Sequence, residues 1–454
     1  MEPSVIDVTL EEIRRLLERG EFERAIAALI RLRPADRAEA FADLPEDDQA
    51  ALLPRLDIPA AADLLEELED TAAASAAESL PTERLADVLD EMEPDEAADI
   101  LGDLDPTRAA QALAEMEEAE EVRPLLGHPD ESAGGLMTTD YVALRRQTTA
   151  AQAIEFLRQT WVEQAATPYY LYVVDRDRKL LGVVGLRELV VAPPETVAEA
   201  LMARDIVYVT TDTDQEEAAR QMSHYDLFAL PVVDPQGVLQ GVITHDDIID
   251  VLEEEATEDV LSLGAVQAGS ISDRPYWTLR AGEIVRSRFT WLLVLFVAQT
   301  LTSMVMRRFQ DQLSAAITLA LFIPLLIGTG GNAGSQTVAT VIRGLALQEI
   351  EPRDAGRVLL REVRNGALLG LLLGPVAFIW VLLTGAAGEY ALVVAATVFV
   401  LCIWANAVGA LVPILAAVLG IDPTVMSAPL ISTLVDATGL LIYFSVAIAV
   451  LGNL

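Results

Sequence analysis

Pro324-Leu325-Leu326-Ile327-Gly328-Thr329-Gly330-Gly331-Asn332-Ala333-Gly334-Ser335-Gln336 decides how this chain is read: it is a glycine-rich, partly polar interruption of the apolar run Leu313–Ile342. Proline removes a backbone donor and Gly-Gly loosens a helix, so the stretch predicts freed carbonyls at this position. Irregular backbone survives inside a bilayer only where protein buries it or water reaches it. Small-residue helix packing is the competing reading, and it also suits Gly334 and Ser335.

Working outward, four more apolar runs are long enough to cross a bilayer: Phe289–Met306, Ala367–Thr384, Ala391–Leu419 and Thr424–Leu451. Even the shortest, at about 1.5 Å per helical residue, reaches roughly 27 Å, the depth of a hydrocarbon core. A buried soluble core is a poor account of five such runs in succession. Pro413, Pro423 and Pro429 predict breaks in the fourth and fifth. Within Leu434-Val435-Asp436-Ala437-Thr438-Gly439 sits an acid flanked on both sides by apolar-rich sequence. A carboxylate at that depth costs roughly 2.5–3.5 kcal/mol on insertion scales, so it faces a partner, a cavity or an ion. None of the five runs contains Lys, Arg or His to neutralise it. A protonated acid or one satisfied by helix hydroxyls is the bland alternative. One acid together with freed carbonyls reads as a cation pathway.

Arginines set the expected orientation. Arg286 and Arg288 precede the first run, and Arg343, Arg353, Arg357, Arg361 and Arg364 occupy the connection between the second and third. Both segments lie inside if the N-terminus is cytosolic, which puts the C-terminus outside. Arg307 and Arg308 oppose this and are outnumbered.

The charge distribution is lopsided. Residues 275–454 hold 10 Arg and 9 Asp or Glu; the remaining 21 basic and 61 acidic residues lie in residues 1–274, a net charge of −40. Such a segment repels nucleic acid and anionic headgroups, so neither is expected as a partner. It also strains its own compactness unless cations screen it. A salt-adapted or GC-rich proteome accounts for bulk acidity, and the single Lys, Lys179, fits that, but it does not dictate where particular carboxylates sit. The one cysteine, Cys402, lies in an apolar run, so no disulfide framework or thiolate metal site is expected. Residues 1–30 have no apolar signal-peptide core, and the acidic half is expected to be cytosolic.

In residues 5–125, Pro45, Pro59, Pro81, Pro94 and Pro106 each introduce a short amphipathic pattern, as in Leu85-Ala86-Asp87-Val88-Leu89. Proline near the first turn followed by an apolar 3.6 period predicts an array of short helices. Residues 137–255 contain a repeat: Met137-Thr138-Thr139-Asp140-Tyr141-Val142 matches Met202-Ala203-Arg204-Asp205-Ile206-Val207, and Tyr172-Val173-Val174-Asp175 with Gly182 matches Pro231-Val232-Val233-Asp234 with Gly241. Each copy predicts strand, helix, strand, turn, strand, helix. Beyond it, Asp246, Asp250, Glu254 and Glu258 recur every fourth residue, with Asp247 and Glu255 on the adjoining line. Like charges at that spacing destabilise a helix, so this face favours bound cations; a solvated acidic face is the plainer reading. Neither an EF-hand spacing nor a His-rich site is present among His128, His224 and His245.

The run at 324–336, Pro429-Leu430, and Asp436-Ala437-Thr438-Gly439-Leu440-Leu441-Ile442-Tyr443 resemble the MgtE-type magnesium channels, and the domain order matches over essentially the whole chain. The repeat resembles a tandem pair of cystathionine β-synthase (CBS) domains. The resemblance implies a multidomain fold: an all-α superhelical N-domain (1–130), an α/β tandem CBS pair (131–200 and 201–252), a connecting or plug helix (253–280), and an α-helical membrane domain with five transmembrane helices (281–454). It implies a homodimeric, multi-pass protein of the plasma or inner membrane, with Mg2+ as cargo and a pore on the two-fold axis. In that pore two copies of Asp436 would face each other, and the carbonyls of Gly328, Gly439 and Ala428 would contact the ion's water shell. The family often has Asn where Ala428 stands, so that side-chain contact is lost here. Regulatory Mg2+ would be shared by Asp63, Asp95, Asp99, Asp214, Glu216, Asp226, Asp247, Asp250, Glu255, Glu258 and Asp259. Closing of these interfaces would gate the pore. ATP is the further ligand implied, through Tyr170, Arg187, Thr244 and Asp247; Gly185 replaces the expected hydroxyl in the first copy, which leaves one nucleotide site at most. Co2+, Mn2+ and Ni2+ stay open as other cargo. The rival readings are a proton-coupled divalent-cation transporter and a membrane-anchored nucleotide sensor; no nucleophile–base pair or phosphate-cradling loop suggests an enzyme.

Overall fold

A computed structural model describes residues 5–160, 169–271 and 279–452. They form two compact units, one built on Met1–Glu255 and one on Ala256–Ser272 with Arg280–Leu454.

The first unit opens with ten short helices: α1 (Val5–Glu18), α2 (Phe22–Leu29), α3 (Pro34–Ala42), α4 (Glu46–Leu52), α5 (Ile58–Glu66), α6 (Asp70–Ala77), α7 (Thr82–Leu89), α8 (Pro94–Asp103), α9 (Pro106–Glu115) and α10 (Ala119–Val122). Prolines begin them as expected. Pro34, Pro94 and Pro106 are first residues, Pro59 is the second of α5, and Pro45 and Pro81 cap α4 and α7. A fixed φ near −65° and a missing N–H cost nothing at these positions. Helices this short are unstable alone, so stability comes from stacking. Odd-numbered helices α1, α3, α5, α7 and α9 pack in one row and α4, α6 and α8 in another. Arginines tie successive layers: Arg84 donates to the Leu56 carbonyl, and Arg108 to the carbonyls of Leu80 and, at 3.2 Å, Ala77. The result is the superhelical N-domain.

Next come two copies of one α/β module. The first is β1 (Ala143–Arg145), α11 (Ala150–Thr160), β2 (Tyr170–Val174), β3 (Leu180–Gly185) and α12 (Leu186–Val191). After α13 (Ala198–Leu201), the second is β4 (Val209–Thr210), α14 (Gln215–His224), β5 (Ala229–Val233), β6 (Leu239–Thr244) and α15 (His245–Leu263). In each sheet the first strand runs parallel to the second and the third antiparallel to it, with Val173 opposite Gly182 and Val232 opposite Gly241. The leading segments are exchanged. Thr138 bridges to Val242 and Ala203 bridges to Val183, so each copy's sheet is completed by residues preceding the other. The paired glycines make this possible: a Cβ on Gly241 would lie 2.6 Å from the Thr138 carbonyl oxygen, and one on Gly182 2.7 Å from that of Ala203. Gly241→Ala is therefore expected to destabilise this unit by about 1–3 kcal/mol, the usual effect of overpacking against backbone. A thermal transition unchanged from wild type would contradict the exchanged arrangement.

The second unit is helical. Its spans are α16 (Ala281–Arg308); a short α17 (Gln310–Ala315) and 3-10 turn (Ile317–Phe322) leading into α18 (Ile323–Ala346); α19 (Ala355–Leu383); α20 (Gly388–Val418); and α21 (Ala428–Leu451). All five crossings are apolar enough and long enough for a bilayer. The central helix is α20, packed against α18, α19 and α21; α16 lies against α21 and exposes Phe289, Leu292 and Phe296, as a lipid-facing helix does. Gly366, Gly370 and Gly374 let α19 approach α20 closely: a Cβ on Gly366 would sit 2.6 Å from the Cys402 carbonyl oxygen.

Three expectations need correction. The Gly-Gly stretch does not interrupt its helix: α18 runs unbroken from Ile323, with Pro324 harmlessly in its first turn, and Gly330, Gly331 and Gly334 serve packing against α20 and α21. Pro413 likewise sits inside continuous α20, while Pro423 and Pro429 begin new helical segments. The helix entering the connection is α15 itself, which starts at His245 and ends at Leu263, followed by a 3-10 turn at Gly269–Ile271; residues 272–278 of the expected plug lie outside the described residues.

Candidate cation sites

In the membrane unit Asp436 occupies the middle of α21, on the face toward α18. Its Oδ1 is buried with no hydrogen-bond partner among the described residues. The backbone of Gly331 makes room for it: a Cβ there would stand 3.6 Å from Asp436 Oδ1 and 2.3 Å from Ser432 Oγ. Beside it, the Trp404 indole N–H donates to Thr438 Oγ1 at 2.8 Å and locks that turn of α21 to α20. Leu401 fills the space under both Gly330 and Gly439. Of the expected carbonyl contributors, Gly328 lies on the exposed side of α18, Gly439 is buried within α21, and the Ala428 carbonyl at the start of α21 accepts from Ser335 Oγ at 3.2 Å. A buried, unpaired anionic oxygen between two helices that can approach only through glycine is a position for a cation or its water.

In the first unit the starts of α8 and α15 meet. Each carries acids in its first turn, Asp95 and Glu96 on one and Asp246 and Asp247 on the other, where exposed helix N–H groups favour negative charge. Together they crowd. Asp95 is 5% exposed and its Oδ1 has no hydrogen-bond partner among the described residues. Burial, then the charges of Asp247 and Glu93, hold its carboxyl well above the usual range. Burial and the neighbours Asp70 and Asp130 push Asp99 up to about 8. Burial with Asp247 and Glu66 pushes Glu93 up to about 7. Asp247 is raised by burial although the Thr244 N–H, at 3.0 Å, and hydroxyl, at 2.6 Å, both donate to its Oδ2. Asp250 is raised by burial and by Glu253 and Asp246. Asp95 and Asp99 thus both feel the charge of Asp247. Asp246, singled out in sequence on the acidic line of α15, lies beside them, and Glu93, Glu96 and Glu66 join unforeseen; the only sequence signal for Glu93 and Glu96 was the acidic flanking of Pro94.

The other acids are placed separately. Asp63 is exposed and faces buried Arg37 at 3.6 Å. Asp214 caps α14 by accepting from the Glu216 N–H at 3.0 Å, Glu216 lies 3.8 Å from Arg220, and Asp226 holds an exposed left-handed turn with φ of 51°. Glu255 accepts from Gln215 Nε2 at 2.8 Å, which joins α15 to the start of α14. Glu258 and Asp259 continue along α15. Among the described residues, no three His, Cys, Asp or Glu side chains already converge in a metal-holding geometry. Thr244 is buried at the end of β6 with its hydroxyl on Asp246 and Asp247, Tyr170 begins β2 half-buried, and Arg187 is exposed on α12.

The chain is similar to known proteins in each of its parts. Residues 323–446 match the family described as a divalent cation transporter, residues 32–131 the MgtE intracellular N domain, and residues 133–195 and 197–254 the CBS domain. The magnesium transporter MgtE of Thermus thermophilus is 44% identical over 329 residues, covering 72% of each chain, and that of Enterococcus faecalis is 37% identical over 337 residues, covering 73% of this chain and 72% of its own. A crystal structure of the cytosolic domain of the Mg2+ channel MgtE in complex with ATP superposes with a TM-score of 0.50 at 36% identity, covering 53% of this chain and 99% of that one. The chain belongs to the MgtE family of magnesium transporters, multi-pass membrane proteins with an N-terminal helical domain and tandem CBS domains.

Proposed function

We propose that this transporter is a Mg2+-selective channel for magnesium uptake, a homodimer whose two Asp436 side chains hold a hydrated ion on the pathway, gated closed by cytosolic Mg2+. The observation that carries it is the buried, unpaired Asp436 Oδ1 facing Gly331. Mg2+ gives up its water reluctantly, so a carboxylate and nearby backbone oxygens suit it as outer-shell partners, binding firmly enough to admit the ion and weakly enough to release it. The soluble side and N-terminus are cytosolic and the C-terminus lies outside, in keeping with the arginines before α16 and between α18 and α19. Gating rests on the α8–α15 carboxylates, which repel one another until a divalent cation bridges them; Mg2+ drives closure to the extent that it binds the closed arrangement more tightly. The connection after α15 then transmits closure to the pathway. Mg2+ influx into liposomes tests this, with Mg2+ titrated on the side of the soluble unit. Influx that falls with rising Mg2+ on that side and ignores an imposed pH gradient supports the gated channel. Influx that follows the pH gradient would make it a proton-coupled transporter.

ATP is the second ligand of this reading, supported by the ATP-bound relative and by the Thr244–Asp247 pair, whose hydroxyl and carboxylate suit a ribose. Tyr170 and Arg187 supply base and phosphate contacts. Thr244→Val is expected to weaken ATP binding by roughly 3- to 10-fold, the effect of one lost hydrogen bond. Calorimetric titration of the full chain measures it, and equal affinity in the two proteins would remove Thr244 from the site.

A further inference from the structure

Hydroxyls inside apolar helices normally return their proton to a carbonyl three or four residues back, and most on α18 and α21 do so, whereas buried Thr302 on α16 and Ser427 just before α21 have no partner among the described residues. On α18, Thr329 donates to the Leu325 carbonyl at 2.7 Å, Thr337 to Ala333 at 3.1 Å and Thr340 to Thr337 at 2.8 Å, while Ser335 reaches Ala428. On α21, Thr433 donates to Pro429 at 2.9 Å, Thr438 to Leu434 at 2.8 Å and Ser445 to Leu441 at 2.7 Å. Ser432 is the exception on these two helices: its hydroxyl has no partner among the described residues. It stands one turn before Asp436 on the same helix face, and both side chains converge on the bare backbone of Gly331, where a Cβ would lie 2.3 Å from Ser432 Oγ and 3.6 Å from Asp436 Oδ1. Two unpaired oxygens of different chemistry therefore share one glycine-lined space.

We propose that the Ser432 hydroxyl is a specificity-determining group of the ion path, taking a water of the hydrated cation while Asp436 supplies the charge; the inference rests on reading Asp436 as lining that path. A hydroxyl both donates and accepts, so it can hold a coordinated water, whose hydrogens point outward, by accepting from it. The contact is geometric. It favours Mg2+, which keeps a near-ideal octahedral water shell at 2.0–2.1 Å, over ions that shed or rearrange theirs more readily. Gly331 is then required for more than packing, because any side chain there pushes the hydroxyl out of the space.

The experiment compares wild type, Ser432→Ala, Ser432→Thr, Gly331→Ala, the Gly331→Ala/Ser432→Ala double variant and Asp436→Asn, each full-length and reconstituted in liposomes. It measures influx of Mg2+ and of Co2+ over a concentration range. Ser432→Ala should raise the half-saturating Mg2+ concentration by about fivefold, the effect of one hydrogen bond, with a smaller change for Co2+. Ser432→Thr should restore most of the preference, which a merely structural serine would not require. Gly331→Ala should resemble Ser432→Ala, and the double variant should be no worse than either single one, since both remove the same contact. Wild-type half-saturation and Mg2+/Co2+ preference in Ser432→Ala, with Asp436→Asn impaired, would overturn the role of Ser432 and leave the pathway standing. Unimpaired influx in Asp436→Asn would overturn the pathway and the inference together. Should Ser432→Ala fail to fold, Gly331→Ala against Ser432→Thr decides the same question through the same preference.

Discussion

Asp436→Ala is expected to reduce Mg2+ influx into liposomes by about 100-fold while raising the thermal stability of the protein. The two effects have opposite signs for one reason. A carboxylate at this depth costs roughly 2.5–3.5 kcal/mol to insert, and its buried Oδ1 finds no donor among the described residues to offset that. Removing the acid relieves the fold. If the cation is what the acid interacts with, the stabilisation lost on the path is at least comparable to that cost, and at 1.4 kcal/mol per tenfold this is about two orders of magnitude. Asp436→Asn keeps the shape and removes the charge, so it should lose nearly as much. Influx and thermal midpoint measured on the same preparation separate the possibilities. Lower influx with a raised midpoint fits an ion-binding acid. Lower influx with a lowered midpoint would mean that Asp436 holds the helices together, and undiminished influx would remove it from the pathway.

What the sequence made legible were local patterns. Apolar length gave the five spans, and the match of Tyr172-Val173-Val174-Asp175 to Pro231-Val232-Val233-Asp234 anticipated β2 and β5, whose partners Gly182 and Gly241 fall in the same register. Span boundaries were less legible because hydropathy reports the membrane and not the helix. Thus α16 begins at Ala281, well before Phe289, and α19 at Ala355, so that Arg286, Arg288, Arg357, Arg361 and Arg364 ride on helix outside the apolar stretch. Three features were hidden because they depend on tertiary approach. Gly-Gly was read as a break, yet neighbours at 3.0 Å from the Gly330 position and 2.3 Å from that of Gly331 show that close packing selected it. The exchange of Thr138 and Ala203 between sheets leaves no periodic trace. The 24-residue period of the N-domain, visible when Arg84 on Leu56 is set beside Arg108 on Leu80, or Glu66 on Glu93 beside Asp90 on Glu117, lies in capping contacts that no hydropathy window detects. Glu93 and Glu96 looked like ordinary acids at a helix start, favoured locally by the helix dipole; only the meeting of α8 with α15 turns them into a liability.

That liability gives the second large effect. For an acid whose folded pKa is raised, the folded state keeps its proton where the unfolded state has lost it, so stability is full below the unfolded value near 4 and falls as pH climbs through the folded one. Asp140 at about 6, Glu93 at about 7 and Asp99 at about 8 place that fall between pH 4 and 8. In Mg2+-free buffer the thermal midpoint of the soluble unit in the full-length protein should therefore drop from pH 5 to pH 8, by on the order of 5 °C. Millimolar Mg2+ should restore most of the loss at pH 8 and do little at pH 5, because protons already neutralise the α8–α15 carboxylates there and a cation binds only to the ionised form. The overall charge of −40 in residues 1–274 would also weaken the fold as pH rises, but it is spread over the surface and screened by monovalent salt. Asp95→Asn/Asp99→Asn discriminates between the two. Neutralising two crowded carboxylates should flatten the pH dependence and make the midpoint at pH 8 higher than wild type without Mg2+, while removing most of the gain on adding it. A double variant that kept both the slope and the Mg2+ response would show that the acidic surface as a whole, and not the meeting of two helix starts, is what magnesium acts upon.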